Sequence, residues 1–185
     1  RSCTHDGYVT DRILAHYVTR AKGGAGLIIV EHTLVTNRYG GSKRILGLWD
    51  EQQVAEMAEL ADAIHAFGAK AIIQLSLGFG QVGYISRAKD GLLVAPSPIP
   101  VVVREDSFPK TVAKHIKDME VRGVGVGPVP RSLTVEEIIE LEDSFVEAAK
   151  RAKKAGFDGI EIHGGHGYLI AQFLSPTSNA RTDLY

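Results

Sequence analysis

The sequence predicts an α/β protein built on a parallel sheet, and three observations carry that prediction. One pattern recurs three times along the chain: an amphipathic helix, a glycine stop, then a short apolar strand ending in a polar residue. The strands are near-continuous apolar runs, as expected of a parallel sheet covered on both faces. The helices open on recognisable capping residues, which fixes where each unit begins. No Gly-x-Gly-x-x-Gly opens a helix after a strand, which weighs against a dinucleotide-binding unit. Periodicity alone leaves open whether the sheet closes into a barrel or stays open.

The elements follow in order. A first helix starts at Thr10, an N-cap, and places Leu14, Tyr17, Val18 and Ala21 on its buried face. Gly23 and Gly24 stop it, and residues 26–30 read as a buried strand ending at Glu31 and His32. A second helix starts at Asp50, with Gln53 three residues on as a capping box. Its apolar face is Val54, Met57, Ala61 and Ile64, and Gly68 ends it before a strand over 70–75. Residues 94–132 break the pattern with six prolines and the run Gly123-Val-Gly-Val-Gly127. Within this insertion, 101–103 and 124–126 read as a short hairpin and 110–121 as a short helix. It is either a lid or binding loop beside the site or a variable surface loop. The third helix begins at Thr134 with Glu137 completing a second capping box, and buries Ile138, Leu141, Phe145, Ala149 and Ala152. Gly156 stops it before a strand over 157–162.

Composition narrows the function classes. The 185 residues carry 23% charged and 44% apolar side chains at a net charge of −1, an ordinary globular balance sufficient for one domain. Such near-neutrality gives no electrostatic footprint for nucleic acid. The apolar runs are too short to span a bilayer, and no signal-peptide pattern opens the chain. Cys3 is the only cysteine, which excludes an internal disulfide and fits a reducing, cytoplasmic setting.

Chemistry concentrates after the last strand. His163, His166 and Tyr168 put two imidazoles and a phenol within six positions, separated by Gly164, Gly165 and Gly167. A strand that ends this way and turns into a helix, with Leu169, Ile170, Phe173 and Leu174 as its apolar positions, presents donors where α/β enzymes keep their sites. The pair could hold zinc, but a third ligand is needed; Glu161 is expected to face the other way, and there is no cysteine cluster. Alternatively the histidines are a satisfied structural pair, and Tyr168 a half-buried tyrosine at a helix start. Gln74, at the end of an apolar strand, carries both a donor and an acceptor in a place where an unsatisfied amide costs about 1–3 kcal/mol.

The run from His163 through Leu169 resembles the old yellow enzyme family of flavin-dependent ene-reductases, where His-x-x-His/Asn-Gly-Tyr-Leu follows the fourth barrel strand. Other segments recur there in the same order. They are Asp6-Gly7, Thr10-Asp-Arg, Ala15-His-Tyr, Gly26-Leu-Ile-Ile-Val-Glu31, Leu46-Gly-Leu-Trp49-Asp50, Ile73-Gln74-Leu75, Ala95-Pro-Ser97, Leu133-Thr134 and Ala155 through His163. The resemblance implies a (β/α)8 TIM barrel, of which residues 1–185 form about the first half, cut at both ends, with the 94–132 insertion near the barrel mouth.

It further implies FMN as cofactor, NAD(P)H as reductant, and an activated alkene (an enone, enoate or enoyl-CoA) as substrate. His163 and His166 would bind the substrate's oxygen, Tyr168 would donate the proton, and Gln74 would meet the flavin's pyrimidine edge. His32 stands where the family contacts flavin through backbone, and leaves its side chain's role open. Arg181 and Asp183 read as ties between loops. After Gln74 the chain departs from the commonest Gln-Leu-x-His-x-Gly-Arg pattern. Its Leu77-Gly-Phe-Gly80 is similar to the enoate reductase and dienoyl-CoA reductase branch, whose members often carry a 4Fe-4S cluster and FAD in further C-terminal domains. The alternatives are another phosphate-binding barrel, which would usually show a strand-end lysine, and a non-catalytic half-barrel module. Open strand edges imply a homo-oligomer.

Overall fold

In a computed structural model the described residues are 6–39, 45–83, 93–103 and 125–185. The expected helix over 110–121 and Cys3 lie outside them.

Each helix starts where its cap dictates. Helix α1 (Asp11–Lys22) opens on Thr10, whose Oγ1 accepts from the Ile13 amide. Its buried residues are Ile13, Tyr17 and Ala21, while Leu14 and Val18 are only half-buried, so the inward face is rotated by one residue from the expected one. Strand β1 (Leu27–Leu34) is followed by the short β2 (Leu46–Gly47). The Asp50–Gln53 capping box is formed and starts a 3-10 turn that runs into α2 (Val54–His65). Gln53 does more than cap: its buried amide also accepts from the Trp49 amide and donates to the Asp6 carbonyl.

Strand β3 (Lys70–Ser76) precedes β4 (Val94–Ala95), β5 (Val102–Val103), β6 (Gly125–Val126) and β7 (Arg131–Ser132). The 101–103 and 124–126 pairing is borne out in β5 and β6, which run antiparallel, while β4 and β7 pair in parallel and bracket the insertion. Helix α3 (Val135–Lys154) carries the expected Thr134–Glu137 capping box. The chain closes with β8 (Gly159–Ile162) and the short α4 (Leu169–Phe173). The glycines that end the long helices do so in the left-handed region, with φ of 88° at Gly24, 79° at Gly68 and 86° at Gly156, where a side chain would be strained.

The main sheet is parallel, in the order β2-β1-β3-β8, so β1, β3 and β8 neighbour one another in chain order. One face carries the core: Ile28 and Val30 of β1 and Ala71, Ile73 and Leu75 of β3 pack with residues of α1, α2 and α3. Fully buried Met57, Leu60 and Ile64 stabilise this layer by about 1.5–3 kcal/mol each. The other face is bare, with Leu27 51% and Ile29 42% exposed. This corrects the expectation of a sheet covered on both faces. Parallel strands with their helices on one face and the other face bare are arranged as in a barrel wall whose inner face lies open. The chain is therefore a partial (β/α)8 barrel.

The N-terminal ends of the strands are tied by ion pairs. Asp158 accepts from His65 Nε2 at 2.7 Å, Lys70 Nζ at 2.7 Å and the Ala71 amide at 2.9 Å. The Lys70 ammonium, with the Ala71 amide and His65, holds this carboxyl well below the usual range. At the start of α3, the Arg131 guanidinium lowers Glu137 from 4.5 to about 2. Both carboxyls are depressed on folding, so their contribution is complete above the unfolded-state values and is lost as pH falls through the folded ones. Acid unfolding should steepen between about pH 4.5 and 2. Melting temperatures across that range should fall less steeply in Asp158→Asn and Glu137→Gln than in the unsubstituted protein; identical slopes would contradict these assignments.

Candidate active site

The opposite, C-terminal ends of the strands hold the polar cluster. Strand β1 runs beyond the expected end at residue 30, and its register against β3 shifts between Val30 and Thr33, a β-bulge. Two consecutive residues, Glu31 and His32, line one cavity at this irregularity in the strand. Tyr17 of α1 makes the bulge tenable. Its Oη accepts from the Glu31 amide at 2.7 Å and lies 3.5 Å from Glu31 Oε2 as donor. Burial pushes the Tyr17 phenol up to about 12, so it keeps its proton. Tyr17→Phe should leave the Glu31 amide unpaired and lower stability by about 1–3 kcal/mol, measured by denaturant unfolding; an unchanged midpoint would contradict this.

Gln74 lies on β3, two residues before the strand ends at Ser76. It is half-buried, opposite Glu161 in the parallel register, and its Nε2 donates to Glu161 Oε1. Glu161 thus points to the Gln74 side of the sheet. The expectation that it turns away from His163 is overturned, because residues two apart on a strand share a face.

His163 follows β8 and is 5% exposed. Its Nδ1 accepts from the Gly165 amide at 3.3 Å, which places its ring proton on Nε2. That nitrogen lies 3.3 Å from His166 Nδ1, so His166 accepts there and carries its own proton on the far nitrogen, Nε2. Burial, then the neighbouring His166, holds the His163 pKa below the usual histidine value of 6.5. In this arrangement only His166 has a donor to spare. His166 is also the only non-glycine among the described residues at positive φ, 56°, a conformation that an L-residue keeps only when its surroundings impose it.

Tyr168 caps α4 in extended conformation, and its ring completes an aromatic cluster with centroids 4.8 Å from His163, 5.7 Å from His166, 5.3 Å from His32 and 4.7 Å from Phe79. The five predicted site residues, His32, Gln74, His163, His166 and Tyr168, line one cavity of about 170 Å³. His32 joins through its ring, 5.1 Å from His163.

Sequence reading missed Phe79 and Gln172. Gln172 is buried; its Nε2 donates to the carbonyls of Phe79 and Gly167, and its Oε1 accepts from the Gln81 amide. It knots the turn after β3 to the start of α4, and a Cβ at Gly80 would fall 2.1 Å from its Oε1. An amide three positions after Leu169, on the buried side of the helix, was the available signal. Arg181 behaves as expected: its guanidinium donates to the carbonyls of Leu133 and Pro96 and pairs with Asp183. Among the described residues no cluster of three or more His, Cys, Asp or Glu could hold a metal, and no helix is long and apolar enough to cross a membrane.

Histidines, a tyrosine and an amide thus gather at the C-terminal strand ends, the pole where barrel enzymes keep their sites. Residues 1–185 match the NADH:flavin oxidoreductase / NADH oxidase family, and the chain belongs to it. It is 45% identical over 180 residues to the NADPH dehydrogenase of Listeria innocua, covering 97% of this chain and 45% of that protein. It is 42% identical over 182 residues to the NADH oxidase of Thermoanaerobacter brockii, covering 97% of this chain and 24% of that protein. Among solved structures, morphinone reductase superposes with a TM-score of 0.77 at 31% identity, over 99% of this chain and 46% of its own. Old Yellow Enzyme from Pichia sp. AKU4542 gives 0.75 at 28%, over 97% and 44%. The chain thus spans less than half the length of each of these proteins.

Proposed function

We propose that the full-length protein is an FMN-dependent oxidoreductase that uses NAD(P)H to reduce an activated C=C bond, and that this chain supplies the substrate-facing half of its site. The observation that carries the proposal is the convergence of His163, His166, Tyr168 and Gln74 on one cavity at the C-terminal strand ends. The donor set fits a flavin: a strand-borne amide for the pyrimidine edge, with glycines beside the histidines where a flat ring can approach. The cavity of about 170 Å³ is below the roughly 300–1,000 Å³ of complete ligand sites, as befits half of a wall. Gln74 and the backbone at His32 would hold the flavin, which supplies hydride to the substrate when reduced by NAD(P)H.

The protein's own work is orientation and proton delivery. His166 Nε2–H, and His163 Nε2–H once released from His166, would donate to the substrate's carbonyl or nitro oxygen and draw electron density from the alkene. The carbon next to that oxygen-bearing group then needs a proton, and the Tyr168 phenol is the acid beside both histidines. Enones, enoates and enoyl-CoA esters share the required oxygen. A lysine-based barrel chemistry has less support, since the strand ends present Glu31, His32, Gln74 and His163, and Lys70 lies at the opposite pole. A 4Fe-4S cluster and FAD belong to this proposal only through the branch similarity of residues 77–80; iron determination on the full-length protein decides the cluster, and identification of the extracted flavins decides FAD.

Gln74→Leu should lower the flavin content of the purified full-length protein and weaken FMN binding about fivefold to tenfold, the worth of about one hydrogen bond. Unchanged content and an unchanged flavin spectrum would count against the proposal.

A further inference from the structure

Gln74 lines the cavity and Glu161 does not. Glu161 sits beside Gln74 on the adjacent strand as its register partner, half-buried, and the only hydrogen bond formed by the Gln74 side chain among the described residues goes to Glu161 Oε1. A carboxylate accepts and cannot donate, so it takes the nitrogen end of the amide and fixes which way the carboxamide is turned. The carbonyl oxygen takes no part in that bond and is left to accept from a ligand. An amide free to rotate could present either end to a ligand; this one is held with its nitrogen at Glu161, which leaves its carbonyl oxygen and its second N–H. The pyrimidine edge of a flavin has one donor, N3–H, between two carbonyls that can only accept.

We infer that Glu161 is a positioning residue for the cofactor: it locks the Gln74 amide so that its carbonyl accepts from flavin N3–H. This rests on the flavin reading given above and adds to it the polarity of the contact and the residue that sets it. Glu161 touches neither cofactor nor substrate in this role. Its negative charge also polarises the amide through the Gln74 N–H, which strengthens the carbonyl as an acceptor. With the amide already held by Glu161, the ligand does not have to order it on binding.

The test uses the full-length protein stripped of flavin and reloaded with FMN carrying 15N at N3. Two readouts are taken, the FMN dissociation constant and the position of the N3 signal. Wild type, Gln74→Leu, Glu161→Leu and the double variant form a cycle. Glu161→Leu should raise the dissociation constant about fivefold and move the N3 signal toward that of free FMN. In the Gln74→Leu background the same substitution should change neither, because Glu161 acts only through Gln74. Should Glu161→Leu fail to fold, the isosteric Glu161→Gln, whose amide can pair with Gln74 in either sense, should still move the N3 signal part of the way. Wild-type affinity and an unmoved N3 signal in the Glu161 variants, with both altered in Gln74→Leu, would overturn the role of Glu161 and leave the flavin reading standing. A wild-type protein that binds no FMN, or a Gln74→Leu variant that behaves as wild type, would remove the flavin reading itself.

Discussion

Tyr168→Phe should slow alkene reduction by about 10²–10⁴ while leaving reduction of the flavin by NAD(P)H nearly unchanged. The phenyl ring still fills the space against Phe79 and His163, whose centroids lie 4.7 and 4.8 Å away, so ring packing is conserved while the hydroxyl that would carry the acidic proton is lost. The two half-reactions, followed separately by stopped flow in the full-length protein, distinguish the roles. Equal slowing of both would mean that Tyr168 shapes the site rather than protonating the substrate.

The histidine pair gives the second large effect. Removing one aimed donor costs about 10²–10³ in turnover when that donor stabilises charge in the transition state. Here the two rings contact each other at 3.3 Å, so their losses should not multiply. In His166→Ala the Nε2–H of His163 loses its acceptor and becomes available to the substrate, which recovers part of the loss. His163→Ala removes the ring that holds His166 Nδ1. The double variant should therefore be little worse than the more damaging single one, and multiplicative losses measured in kcat would contradict the relay from the Gly165 amide through His163 to His166. Because burial and His166 lower the His163 pKa, the ring is neutral above the usual histidine range. Activity that depends on the relay should be intact there and decline only as pH falls below about 6.5, when His163 gains a proton on Nδ1 and the Gly165 contact is lost.

The repeating units were legible in the sequence because their signals are local. Thr10, the Asp50–Gln53 box and the Thr134–Glu137 box each start a helix within one turn, and Gly24, Gly68 and Gly156 stop the chain by backbone conformation alone. The barrel was legible only through resemblance, since apolar strands read alike whether one face or two are covered; the bare face at Leu27 and Ile29 fits it and the superposition on morphinone reductase at a TM-score of 0.77 supports it. The predicted site residues do converge, but three of its features are tertiary. The bulge at Glu31 and His32 depends on Tyr17 reaching across from α1. The Gln74–Glu161 contact depends on the register of two strands 87 positions apart. The left-handed His166 depends on the turn between β8 and α4, and no residue type announces it.

The central claim is that His163 and His166 receive an oxygen of the substrate at a flavin. Phenols mimic that oxygen, and in old yellow enzymes they give a long-wavelength charge-transfer band. The most direct test is to titrate the flavin-loaded full-length protein with a para-substituted phenol and record the visible spectrum, in wild type and in the His163→Ala, His166→Ala double variant. The expected result is a saturable long-wavelength band in wild type and its loss in the variant with flavin still bound. A band that survives the double substitution, or stoichiometric zinc in the wild-type protein that disappears with it, would contradict the account.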